Sequence, residues 1–77
     1  MQVAWIEVTD TFSREKNLIN VGFITSCAPL IDKNQIVGSR INLIAPLGDR
    51  NEHYIKTVEK MPEIQKLLDR AGVEVIR

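Results

Sequence analysis

A single cysteine, Cys27, cannot form a disulfide within the chain, and a single histidine, His53, nearly rules out the His/Cys ligand sets that hold zinc. Four scattered glycines make neither a G-x-G-x-x-G turn nor a P-loop, so no nucleotide-hydrolysis motif is present. No apolar run approaches the roughly 18 residues needed to span a bilayer, which argues against a membrane partner. The opening MQVAWIEVTD lacks both a basic segment and a continuous apolar stretch, so the cytoplasm is the expected compartment. Ten basic residues balance ten acidic ones, and without a basic stripe an electrostatic nucleic-acid binder is not expected.

At 77 residues the chain suits one domain near the lower limit of a self-sufficient core. Domains of this size leave only about 3 to 5 kcal/mol in hand and draw extra support from disulfides, metals or self-association. With the first two removed, a homo-oligomer is the expected form.

The apolar pattern has mostly the period of a strand. In Gln2 to Thr9, Ala4, Ile6 and Val8 alternate with Val3, Trp5 and Glu7. The polar stretch Asp10 to Asn17 then reads as a hairpin turn. From Leu18 to Ile31 the chain is apolar but interrupted by Gly22 and Pro29, which predicts two short strands or one strand bent near Gly22. Asp32 to Gly38 reads as a loop, Ser39 to Ala45 as a strand, Pro46 to Glu52 as a turn, and His53 to Val58 as the last strand of a meander over residues 1–58. A helix is predicted over residues 61–72: Pro62 suits its first turn, Ile64, Leu67, Leu68 and Ala71 share one face, and Gly72 ends it. Residues 73–77 form a tail or a short strand. The fold class is therefore α+β, mainly β: a curled antiparallel sheet of four to five strands crossed by one amphipathic helix.

If Ala4, Ile6, Val8, Ile41, Leu43 and Ile55 face that helix, the other face carries Val3, Trp5, Arg40, Asn42, Ile44, Tyr54 and Lys56. One helix cannot cover both faces, so the second is closed by curling or serves as a contact surface. Trp5, Arg40, Tyr54 and Lys56 form the candidate binding set, because a guanidinium, an ammonium and aromatic rings together can hold a phosphate and stack a base. The competing reading of those four is an interface or a solvated face of amphipathic side chains.

Other candidates are weaker. Cys27 lies in an apolar stretch and reads as a small buried hydrophobe rather than a nucleophile. His53 reads as a solvated strand-end residue, and the neighbouring carboxylates Asp49 and Glu52, or Glu7 and Asp10, read as turn formers. No catalytic residue, metal site or cofactor is expected.

The segments WIEVTDTFSREK from Trp5, NLINVGFI from Asn17, SRINLI from Ser39 and YIKTVEKMPEI from Tyr54 together resemble the small flagellar FlbD-like proteins of bacterial and phage genomes. The resemblance spans most of the chain and implies a small β-rich accessory module without catalytic residues. The chain departs from that family's helix entry by reading Lys56, Thr57, Val58, Glu59, Lys60. The expected function is that of a non-enzymatic, homo-oligomeric accessory or regulatory module that acts by binding. The alternative is a binder or sequestering protein for a small nucleotide or other anionic ligand, of the kind a phage could encode.

Overall fold

A computed structural model describes residues 4–46 and 51–73. The chain runs β1 (Trp5–Thr9), β2 (Lys16–Asn20), a single 3-10 turn (Val21–Phe23), β3 (Ile24–Asp32), β4 (Gln35–Leu43), β5 (Tyr54–Thr57) and α1 (Met61–Arg70). It is an α+β fold, mainly β, and its five strands divide into an antiparallel pair β1-β2 and a three-stranded antiparallel sheet β3-β4-β5. The two sheets meet where Asp10 bridges Thr57. There the Val58 N–H donates to the Thr9 carbonyl (3.0 Å) and the Thr11 N–H to the Lys56 carbonyl (3.0 Å).

The core follows the alternation in the sequence. Ile6 and Val8 of β1, Ile19 of β2, Ile41 and Leu43 of β4 and Ile55 of β5 are buried together with Ile64 of α1. Since successive side chains of a strand point to opposite faces, burying Ile6 and Val8 obliges Trp5 and Glu7 outward, and burying Ile41 and Ile55 does the same to Arg40, Asn42, Tyr54 and Lys56. The helix has Pro62 in its first turn and closes with a Schellman motif. In that motif the Val73 N–H donates to the Leu68 carbonyl and the Gly72 N–H to the Asp69 carbonyl, with Gly72 at φ 85°.

Two segments differ from the sequence-based expectation. Asp32 to Gly38 is no loop: β3 and β4 stay paired out to Asp32 and Gln35, and only Lys33 and Asn34 turn the chain. Their φ values of 51° and 64° are those of a primed hairpin turn, whose twist matches that of the flanking strands. Pro29 lies inside β3 rather than interrupting it; β3 is an edge strand of its sheet, where a residue without an N–H is tolerated. The bend near Gly22 is present as the 3-10 turn, where the Asn20 side chain accepts from the Gly22 N–H at 2.9 Å. The tail over 74–77 and the turn positions 47–50, Asp49 among them, lie outside the described residues.

A tight junction fastens the end of β5 to its neighbours. Gly38 is buried against the Thr57 carbonyl, an approach that a Cβ would block. Beside it, the Ser39 hydroxyl donates to the Glu59 carbonyl at 2.6 Å, while both carboxylate oxygens of Glu59 accept from Thr9, one from its N–H at 2.8 Å and one from its hydroxyl at 2.9 Å. Glu59 thus holds β1 to the entry of the helix.

Candidate functional site

The short antiparallel pairing of β4 with β5 determines the candidate site. Arg40 lies directly opposite Lys56, and Asn42 opposite Tyr54. On the outer face this sets the guanidinium carbon of Arg40 over the Tyr54 ring, 4.1 Å from its centroid, with the Lys56 ammonium 5.9 Å from the same centroid. The stacked guanidinium is held from the side as well. Its Nε donates to Asn42 Oδ1 at 3.1 Å, and Asn42 Nδ2 donates in turn to the Ser26 hydroxyl at 3.0 Å. A chain of contacts from β3 to β5 therefore orients Arg40.

Electrostatically the pair is lopsided. Like charges directly opposite in a ladder are destabilising, by roughly 0.2–1 kcal/mol. Yet Arg40 and Lys56 face each other, and among the described residues neither has a carboxylate in salt-bridge range; the ion pair seen there is Lys16 with Glu7, 3.2 Å apart on the hairpin. Beside Tyr54 and Lys56 is a shallow hollow of about 140 Å³, with Asp10, Thr11, Phe12 and Glu52 around it, so that two carboxylates lie on the side away from Arg40. That is well below the roughly 300–1,000 Å³ of a small-molecule pocket, so a ligand here would lie across the face rather than sink into it.

Compared with known proteins, the chain matches no family model, no curated protein and no solved structure.

Three of the four residues singled out in the sequence, Arg40, Tyr54 and Lys56, are brought together. Trp5 lines another hollow, of about 230 Å³, with Leu18, Phe23, Leu43 and Pro46. The separation has a simple cause: among the described residues β1 joins β5 at the Asp10–Thr57 end, while Trp5 sits at the other end of β1, across from Asn20. Asn42 and Ser26, which brace the guanidinium, were not in the sequence-derived set. Asn42 shares the alternation of Arg40 and was readable as a neighbour, whereas Ser26 depends on a register that includes a bulge between Ile24 and Ser26.

The remaining candidates take structural positions. Cys27 packs partly buried against the core, and burial pushes its thiol above the ordinary value, which disfavours the thiolate a nucleophile needs. His53 and Glu52 are exposed. Glu7 pairs with Lys16 on the outer face, while Asp10 is buried, its Oδ1 accepting from the Phe12 and Ser13 N–H groups at 2.7 and 3.1 Å; the two do not form a carboxylate pair. The described residues hold no cluster of three His, Cys, Asp or Glu side chains suited to a metal ion, and no described helix is long and apolar enough to cross a membrane.

Proposed function

We propose that the protein is a non-enzymatic binding module that takes a small anionic ligand bearing a planar ring, such as a nucleotide, on the outer face of β4 and β5. The observation that supports this reading is the pair Arg40 and Lys56, placed opposite one another, both near the Tyr54 ring and, among the described residues, without a carboxylate in salt-bridge range. An anion between them would relieve their repulsion and form charge-assisted hydrogen bonds with the ammonium and with the guanidinium amino groups that Asn42 leaves unengaged. A planar base can stack on the guanidinium, which Tyr54 supports from beneath. The resemblance to FlbD-like accessory proteins is consistent with a module that works by binding.

The test is thermal unfolding with a panel of adenine and guanine mononucleotides, dinucleotides and inorganic pyrophosphate. A ligand at a hundred times its dissociation constant adds about 2.7 kcal/mol, which in a chain of this size raises the melting temperature by roughly 10–20 °C. The shift is expected to shrink in Arg40→Gln and Lys56→Gln and in high salt. No shift from any member of the panel at millimolar concentration refutes the reading.

A further inference from the structure

Phe12 is 96% exposed, the most exposed of the large hydrophobic side chains. Its ring stands in solvent, but its backbone is tied down. The Phe12 N–H donates to the buried Asp10 carboxylate at 2.7 Å, and the neighbouring Thr11 N–H donates to the Lys56 carbonyl at 3.0 Å. The β1–β2 turn is thereby held against the end of β5, and Phe12 lines the same shallow hollow as Tyr54 and Lys56. Two aromatic rings therefore border one hollow that has an ammonium in its wall. A phenyl ring on a fixed backbone can turn to meet a flat ligand, and every nucleic-acid base offers such a face.

The size of the hollow limits what it can take. At about 140 Å³ it is too small to enclose a base, but it can admit the group that joins two bases stacked on either side of it. Lys56 is placed between the two stacking surfaces: it stands opposite Arg40 in the β4–β5 ladder and lines the hollow together with Phe12. Two carboxylates work against an anion here. Asp10 is buried and its Oδ1 is engaged by the Phe12 and Ser13 N–H groups, whereas Glu52 is exposed and lies where a linking phosphate would pass. The chain's zero net charge excludes a duplex binder held by phosphate contacts, but stacking of unpaired bases on aromatic rings does not depend on a basic stripe.

We infer that the ligand of this face is a two-nucleotide unit of single-stranded nucleic acid, with one base stacked on the Arg40 guanidinium, the next on Phe12 and the phosphate between them beside Lys56. The inference rests on the anion reading and narrows it: a mononucleotide uses Arg40, Tyr54 and Lys56, and the second base adds Phe12. A strand suits the site better than a self-contained ligand does, because the shallow hollow encloses nothing and leaves the chain free to run on past both bases. Unpaired bases on an open sheet face, stacked on aromatic rings and on guanidinium planes, are a general means of holding single strands.

The experiment is calorimetric titration of the full chain with thymidine 5′-monophosphate, with the 3′–5′ thymidine dinucleotide carrying a 5′-phosphate, and with a short DNA duplex. The dinucleotide is expected to bind roughly 5- to 140-fold more tightly than the mononucleotide, which is the worth of one stacked base. Phe12→Ala should abolish that advantage and Phe12→Trp should preserve it, with circular dichroism establishing that each variant is folded. Glu52→Gln should tighten the dinucleotide, because it removes a negative charge beside the linking phosphate. The proposal is overturned by an advantage that survives Phe12→Ala, by a duplex bound as tightly as the single strand, or by a dinucleotide joined 5′ to 5′ through pyrophosphate that binds more tightly than the 3′–5′ unit. A mononucleotide that binds and a dinucleotide that binds no better overturn it while leaving the anion reading intact; no binding by any of these probes removes both.

Discussion

Replacing Ile64 by alanine tests whether the helix is a structural half of this fold or an appendage. Ile64 is the helix side chain buried to 1% exposure, and it packs into the cluster of Ile6, Val8, Ile19, Ile41, Leu43 and Ile55. The substitution removes three carbons, which at about 0.8 kcal/mol each is about 2.4 kcal/mol of lost transfer free energy. The cavity left among strands that cannot collapse onto it brings the expected cost to about 4 kcal/mol, within the range of about 2–5 for such truncations. A domain of this size holds about 3–5 kcal/mol in total, so the variant should be largely unfolded at 25 °C as a monomer. A ten-residue helix is marginal by itself in water, so loss of its anchor should also undock it rather than leave it intact on the sheet. Urea denaturation followed by far-ultraviolet circular dichroism measures the cost, and amide hydrogen exchange on Leu67, Leu68 and Ala71 reports the docking. A loss under about 1 kcal/mol, with helix amides still protected, would refute the packing argument.

Three further outcomes follow from particular contacts. Gly38→Ala should destabilise by about 1–2 kcal/mol, because overlap with the Thr57 carbonyl, at about 1–3 kcal/mol, outweighs the roughly 0.4–1 kcal/mol gained by restricting the unfolded chain; a raised urea midpoint would contradict this. Glu59→Ala should cost about 2 kcal/mol by leaving the Thr9 N–H and hydroxyl without their acceptor, whereas Thr9→Ala should cost less, since Glu59 keeps the N–H; equal losses would be the wrong result. Cys27 supplies a pH test. Its thiol pKa is raised by burial in the folded chain, so the folded state holds that proton more tightly than the unfolded one, and stability is expected to be full below the ordinary thiol pKa and to fall as pH rises through the folded value. Cys27→Ala should remove that part of the alkaline decline, and slow reaction of the native thiol with a disulfide reagent at pH 8 is the companion measurement.

The alternation of apolar residues determined which side chains are buried. Ile6, Val8, Ile41, Leu43 and Ile55 point inward because two-residue periodicity is local and survives any error in strand ends. The helix and its stop were equally legible, since Pro62, the Ile64, Leu67, Leu68 and Ala71 stripe and Gly72 act through backbone constraints carried by the residues themselves. The same periodicity put Arg40, Tyr54 and Lys56 on one face, and because β4 and β5 are neighbours the three meet.

What the sequence by itself did not determine is everything that depends on which strand lies beside which. Trp5 shares the outward parity of Tyr54, but the strands divide into two sheets that meet at the Asp10–Thr57 bridge, and that topology carries Trp5 to another hollow. Asp32 to Gly38 has loop composition; its pairing comes from the complementary edge of β3, which overrides local propensity. Gly38 is required by the Thr57 backbone, and Glu59 matters through Thr9 fifty residues earlier. Each is a contact between residues distant in the chain, and periodicity within one segment carries no information about the partner a segment will meet.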